Sequence, residues 1–180
     1  MQGWSAVETP LSFEIVRRPA HGTLSGEPPN VVYTPHENYF GSDWFSFRAL
    51  NGALNSLPAL VAIDVLPVND PPAITFRRNR VSAVSTGRTT MIRGFVKGVP
   101  GPRSEARQQL SFVTSTDQPD LFENLPAVDE YGNLTFQARK GVSGVASVAV
   151  AASDSGGTAL GGQDSAPPAQ FSISLTAPAK

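Results

Sequence analysis

Leu66-Pro67-Val68-Asn69-Asp70-Pro71-Pro72 decides how this chain is divided. It closes one apolar, strand-like run at residues 59–66 (ALVAIDVL) and opens another at residues 73–76 (AITF), with no room for a helix between them. Pro71 and Pro72 lack backbone donors and hold φ near its extended value, and the residue before a proline is pushed out of the helical region. Such a stretch is a short, extended and stiff linker. Asn69-Asp70 adds side-chain oxygens where two domain ends meet, the arrangement of a hinge or a shared cation site.

Working outward, 180 residues accommodate two ordinary domains, residues 1–70 and 71–180. Charged residues make up only 16%, with 14 basic against 15 acidic, so no strong field points to nucleic acid or to an anionic membrane. The absence of cysteine excludes disulfides, thiolate zinc sites and thiol nucleophiles together. A small extracellular β-domain without disulfides finds its staple elsewhere, and a metal is the usual one. No apolar run is long enough to cross a bilayer, and Met1-Gln2-Gly3-Trp4 does not open a basic segment followed by an apolar core. A chain of this kind working outside the cell is expected to be part of something longer.

Sixteen glycines and sixteen prolines punctuate short runs rich in Val, Ile, Phe, Thr and Ser, and no segment sustains a helical period. The fold class is all-β, with β-sandwiches as the natural solution. The first half reads as strands at residues 11–16, 22–24, 31–34, 43–50 and 59–66. Those five strands fall short of a seven-stranded sandwich, and the ten residues before Leu11 cannot supply two more. The first domain is therefore expected to lack its N-terminal strands or to borrow one through an open sheet edge. Its apolar face, with Phe13, Ile15, Phe45 and Phe47, is then incompletely covered, and self-association follows. The second half reads as strands at residues 73–76, 89–96, 108–114, 121–122, 134–138, 146–152 and 169–175, with a tight hairpin at Glu130-Tyr131-Gly132-Asn133.

Three strings carry a resemblance. Pro19-Ala20-His21-Gly22-Thr23-Leu24, the run Pro35-His36-Glu37-Asn38-Tyr39-Phe40-Gly41-Ser42-Asp43-Trp44-Phe45-Ser46-Phe47, and Val68-Asn69-Asp70-Pro71-Pro72 together resemble the cadherin-like tandem repeats of large extracellular surface proteins, from about Leu11 to Pro72. In the second half, residues 105–112, Gly132-Asn133-Leu134-Thr135-Phe136 and the loop Asp154-Ser155-Gly156-Gly157-Thr158-Ala159-Leu160-Gly161-Gly162-Gln163-Asp164 are similar to the Ig-like repeats that follow such modules in surface-protein arrays. The resemblance implies two tandem Ig/cadherin-like β-sandwiches and a non-catalytic adhesion, scaffold or spacer role at the cell surface. Its partners would be neighbouring repeats, copies of itself, or a cell-surface protein or glycan, with no nucleic acid and no membrane insertion. One departure is Asn51-Gly52, where the family usually carries Asp-Gly.

The candidate chemistry is weighed against plainer roles. His21 and His36 are the only histidines, and no serine occupies a strained Gly-x-Ser-x-Gly turn, so a hydrolytic triad is not expected. Arg17, Arg18, Arg77, Arg78, Arg80 and Arg93 could form a patch for a sulfated glycan, but basic residues on edge strands also serve to block aggregation. Trp44 points outward if Phe45 and Phe47 face the core. The oxygens of Glu37, Asp43, Asn69, Asp70, Glu105, Asp154 and Asp164 lie in loops or at strand ends and suit a hard cation such as calcium (Ca2+), with Asn38 and Asn51 as further oxygens. If the strands run up and down, Glu37 and Asp43 fall beside Asn69 and Asp70, and Glu105, Asp154 and Asp164 converge on the same linker. The alternative function is a carbohydrate- or ligand-binding accessory module of a secreted enzyme.

Overall fold

The computed structural model describes residues 11–52 and 54–179. The chain divides into two compact units, Met1–Pro67 and Val68–Lys180. The division lies between Pro67 and Val68, so Val68, Asn69 and Asp70, read above as the end of the first domain, group with the second unit. Both units are β-structure, with three short 3-10 turns in the second.

In the first unit, β1 (Ser12–Arg17), β4 (Gly41–Asn51), β5 (Leu54–Asn55) and β6 (Ala59–Val65) form one antiparallel sheet, and β2 (Gly22–Glu27) pairs with β3 (Asn30–Pro35) as a separate hairpin. The long β4 is the spine, with β1 and β6 both bonded to it. Alternation along β4 aims Asp43, Phe45 and Phe47 to one side and Trp44 to the other. The first set packs inward: Phe45 is buried, Phe47 is half-buried, and Phe13 meets Phe47 edge to face. The stretch on which missing N-terminal strands were inferred, residues 1–10, lies outside the described residues.

The second unit carries β7 (Ala73–Phe76), β8 (Arg80–Val84), β9 (Thr89–Ile92), β10 (Val96–Val99), β11 (Leu110–Thr116), β12 (Phe122–Val128), β13 (Leu134–Ala138), β14 (Gly144–Asp154) and β15 (Ala169–Thr176). One sheet runs β11-β14-β15-β8 and another β12-β13-β9, while β10 pairs with β7. The contact of β15 with β8 is parallel. Alternate residues of β13, β14 and β15 are buried: Leu134 and Phe136, then Val148 and Val150, then Phe171 and Ile173. Phe95 joins them, stacked against Phe76 and edge-on to Phe171.

Three readings of this unit change. Strand β8 was not anticipated, because Arg80-Val81-Ser82-Ala83-Val84 has one charged end and a weak alternation, yet Val81 is buried beside β15. The strand expected over residues 89–96 splits into β9 and β10 at Gly94, whose φ is 56°. The short strand expected at residues 121–122 becomes a full strand, β12, which begins at Phe122 after the 3-10 turn Pro119–Leu121 and in which Pro126 sits on an edge that pairs only through β13.

Candidate functional site

In the first unit the quoted motifs meet at Asp43. Its carboxylate accepts hydrogen bonds from the backbone N–H groups of Ala20 (3.0 Å), His21 (2.9 Å) and Trp44 (2.9 Å) and from the Tyr33 hydroxyl (2.9 Å). Gly22 makes this possible, since a Cβ there would lie 2.4 Å from the Tyr33 ring. Asp43 is 3% exposed, and its oxygens are engaged by protein donors. Burial pushes its carboxyl upward, but the Ala20, His21 and Trp44 N–H groups and the Tyr33 hydroxyl outweigh this and hold it at about 2. The same arrangement raises Tyr33 to about 12, through burial first and the bond to Asp43 second.

Asp43 therefore ties the β2–β3 hairpin to β4, and its lone pairs are taken by its own unit. His21 stacks on Tyr39, their ring centroids 4.3 Å apart, which is a packing role. Glu37 is exposed in the turn that follows β3. Trp44 lies on the side of β4 opposite Phe45 but is half-buried rather than open to solvent, and Ser46 on its side of the strand is buried. The register slips between Ile15 and Arg17, and the Arg17 guanidinium sits 3.9 Å over the Trp44 ring, occupying one face on which a sugar would stack.

The second unit builds a cradle around Asn69. Its Nδ2 donates to Asp154 Oδ1 (2.9 Å) and to the Gln163 carbonyl (2.7 Å), while its Oδ1 accepts from Gln108 Nε2 (2.7 Å). Two acceptors on one side and a donor on the other fix which way the amide points. The backbone joins in: Gln163 N–H donates to the Asn69 carbonyl (2.9 Å), and Asp70 N–H donates to Glu105 Oε1 (3.2 Å). The Gly-rich loop closes over the cradle at Gly156 and Gly162, which put no side chain into it. A Cβ on Gly156 would stand 1.9 Å from Asn69 Oδ1.

Of the residues proposed as ligands, Asn69, Asp70, Glu105 and Asp154 are thus brought together by hydrogen bonds inside the second unit. Asp164 is half-buried and contributes its carbonyl to the Asp154 N–H (2.9 Å). Glu37 and Asp43 belong to the first unit. Gln108 was not foreseen as part of this group. The only signal for it was its place in the string Glu105-Ala106-Arg107-Gln108, where the 3-10 turn Arg103–Glu105 leaves both side chains half-buried.

Three atoms of this cradle, Glu105 Oε2, Gln108 Oε1 and Asp154 Oδ2, are buried without a hydrogen-bond partner. Such atoms are rare in folded proteins and call for an explanation. Among the described residues, no three His, Cys, Asp or Glu side chains are grouped to hold a metal by themselves. A cation in the cradle would have to draw on the Gln108 amide oxygen or on water in addition to carboxylates.

With this geometry in view, known proteins give the fold its place. Residues 5–64 match the family model described as a bacterial Ig domain. Among solved structures, human protocadherin-24 EC1-2 is similar over 96% of this chain and 85% of its own, at 13% identity and a TM-score of 0.67. The Drosophila N-cadherin EC1-4 structure covers 96% of this chain and 44% of its own, at 15% identity and a TM-score of 0.59. The fold is that of cadherin-like and Ig-like repeats. No curated protein matches the chain in sequence. In this repeat fold the Asp43 knot, near the start of β4, links a hairpin to its sheet, and the Asn69 cradle anchors the entry to the second unit. No helix in the described residues is long and apolar enough to cross a membrane.

Proposed function

We propose that this chain is a non-catalytic module of an extracellular repeat protein, serving adhesion, scaffolding or spacing, and that calcium binds at the Asn69 cradle of its second unit. The observation that carries the cation is the set of three buried oxygens without partners, on Glu105, Gln108 and Asp154. Oxygen donors of mixed carboxylate and amide type are what calcium takes, and the ion tolerates irregular geometry and retained water. Asp70 and Asp164, next to the bonded residues in the chain, are the further carboxylates within this proposal. Left without a cation, Glu105 Oε2 and Asp154 Oδ2 keep the cost of burial with nothing to offset it.

The role of such an ion is mechanical rather than chemical. It would hold the loop of residues 154–165, the turn Arg103–Glu105 and the entry segment at Asn69 of the second unit in one arrangement. The fold likeness and the bacterial Ig domain match support the module reading. The test is thermal unfolding of the full chain in calcium and in chelator, for the parent and for Glu105→Ala and Asp154→Ala. With calcium at about a hundred times its dissociation constant, linkage adds about 2.7 kcal/mol to the parent and little to either variant. An identical melt in calcium and in chelator for the parent rejects the cation.

A further inference from the structure

Asn51-Gly52 is the single Asn-Gly pair in the chain. It ends β4 where the strand folds back into β5, with Leu50 opposite Asn55 and Asn51 opposite Leu54. Asn51 is exposed, and Gly52 adopts a left-handed φ of 58° with nothing within 4 Å of where a Cβ would stand. Other asparagines are in a different position. Asn69 is held in its cradle, the Asn133 amide bonds to Asp129 and to the Gly94 N–H, and Asn124 donates to Gln137. Each of these is followed by a residue with a side chain that hinders its neighbouring amide nitrogen.

We infer that Asn51 is a site of spontaneous deamidation, placed by the fold on an open hairpin tip. The Gly52 backbone nitrogen attacks Asn51 Cγ and forms a new C–N bond. The Cγ–Nδ2 bond breaks, and ammonia leaves carrying the proton that was on the Gly52 nitrogen. Water then opens the resulting cyclic imide at one of its two carbonyls, giving either aspartate or isoaspartate. The glycine matters because it places no side chain in the path of its own nitrogen and turns without steric resistance.

The products differ in their effect. Aspartate adds a negative charge at the tip and leaves the pairing of β4 with β5 intact. Isoaspartate inserts an extra carbon into the backbone and takes Leu54 out of register. Ser56 limits the damage, since its N–H donates to the Ala49 carbonyl (2.9 Å) and its Oγ accepts from the Ala49 N–H (3.0 Å), which clamps the hairpin below the tip.

The experiment is incubation of the full chain in mildly alkaline buffer, followed by trypsin digestion and fragment-ion mass spectrometry. Cleavage after Arg48 and Arg77 leaves Asn51 in one peptide with Asn55 and Asn69, which serve as internal controls. We expect aspartate and isoaspartate at position 51 to accumulate at least about tenfold faster than at either control. The rate in the native chain should approach that in urea, and Asn51→Gln should abolish the fast phase. Reaction at Asn51 no faster than at Asn55, or reaction only in the unfolded chain, overturns the assignment.

Discussion

Replacing Asn69 with alanine tests whether the cradle holds the second unit together. The Asn69 side chain takes part in three hydrogen bonds, to Asp154, to Gln163 and from Gln108. At about 1 kcal/mol each, their loss amounts to about 3 kcal/mol, because Gln108 Nε2 and the Gln163 carbonyl lose a partner while Asp154 Oδ1 keeps the Gly156 N–H (2.8 Å). For a domain of this size that is a fall in Tm on the order of 10 to 20 °C. Both tryptophans, Trp4 and Trp44, precede Pro67, so tryptophan emission follows the first unit and circular dichroism must report on the second. The expected result is an early dichroism transition with an unmoved fluorescence transition. Asn69→Asp should be no milder, since it turns the donor facing Asp154 into an acceptor. A loss below about 0.5 kcal/mol for Asn69→Ala, the range of an ordinary surface change, would refute the cradle as a structural anchor.

Gly156→Ala should reproduce that loss without touching a polar group, because the new Cβ collides with Asn69 Oδ1; dichroism melts at parental temperature would show that the loop moves aside freely. A fragment spanning Val68–Lys180 should unfold cooperatively, and one starting at Pro72 should be weaker by at least about 3 kcal/mol, because it lacks the Asn69 side chain and also the backbone bonds of Asn69 and Asp70 to Gln163 and Glu105; equal denaturant midpoints for the two would count against the bonds around Asn69. Asp43 has its folded-state value lowered from 3.8 to about 2, so its contribution is present above pH 4 and is lost as pH falls towards 2. Tyr33 is raised from 10.0 to about 12, so its contribution is full below pH 10 and is lost as pH rises through 12. In Asp43→Asn the acid limb of the tryptophan-detected transition should flatten, and an acid limb parallel to the parent's would rule out Asp43 as its source. Phe136→Ala, at a fully buried position of β13, should cost about 3 to 5 kcal/mol in denaturant titrations, and a smaller loss would mean that the core refills the space.

Much of the architecture was legible locally. Period-two alternation and Gly/Pro punctuation identify β-structure, because side chains on a strand alternate between core and solvent whatever the partner strand turns out to be. Alternation likewise placed Phe45 inside and Trp44 on the opposite side of β4, where it is half-buried. Pro71-Pro72 made the stretch before β7 legible as a non-helical connection, since a proline pair constrains its own backbone. Strand β8 escaped because its burial comes from parallel contact with β15, which is distant in the chain. The split between β9 and β10 depends on the turn at Gly94, and a lone glycine does not announce a turn.

The candidate site divides in the same way. The sequence by itself marked Asn69, Asp70, Glu105, Asp154 and Asp164 as oxygen-bearing residues in loops, from residue type and from the Gly-rich string around them. It could not separate Asp43, whose carboxylate looks like any other in the chain but is consumed by the donors of Ala20, His21, Tyr33 and Trp44. It could not place Asn69 with the second unit, because that follows from bonds to Gln108, Asp154 and Gln163, all of them far along the chain. Residue type and spacing are local properties that a sequence carries directly. Which lone pairs are already used, and which buried oxygens remain without a partner, depends on segments brought together only when the chain folds.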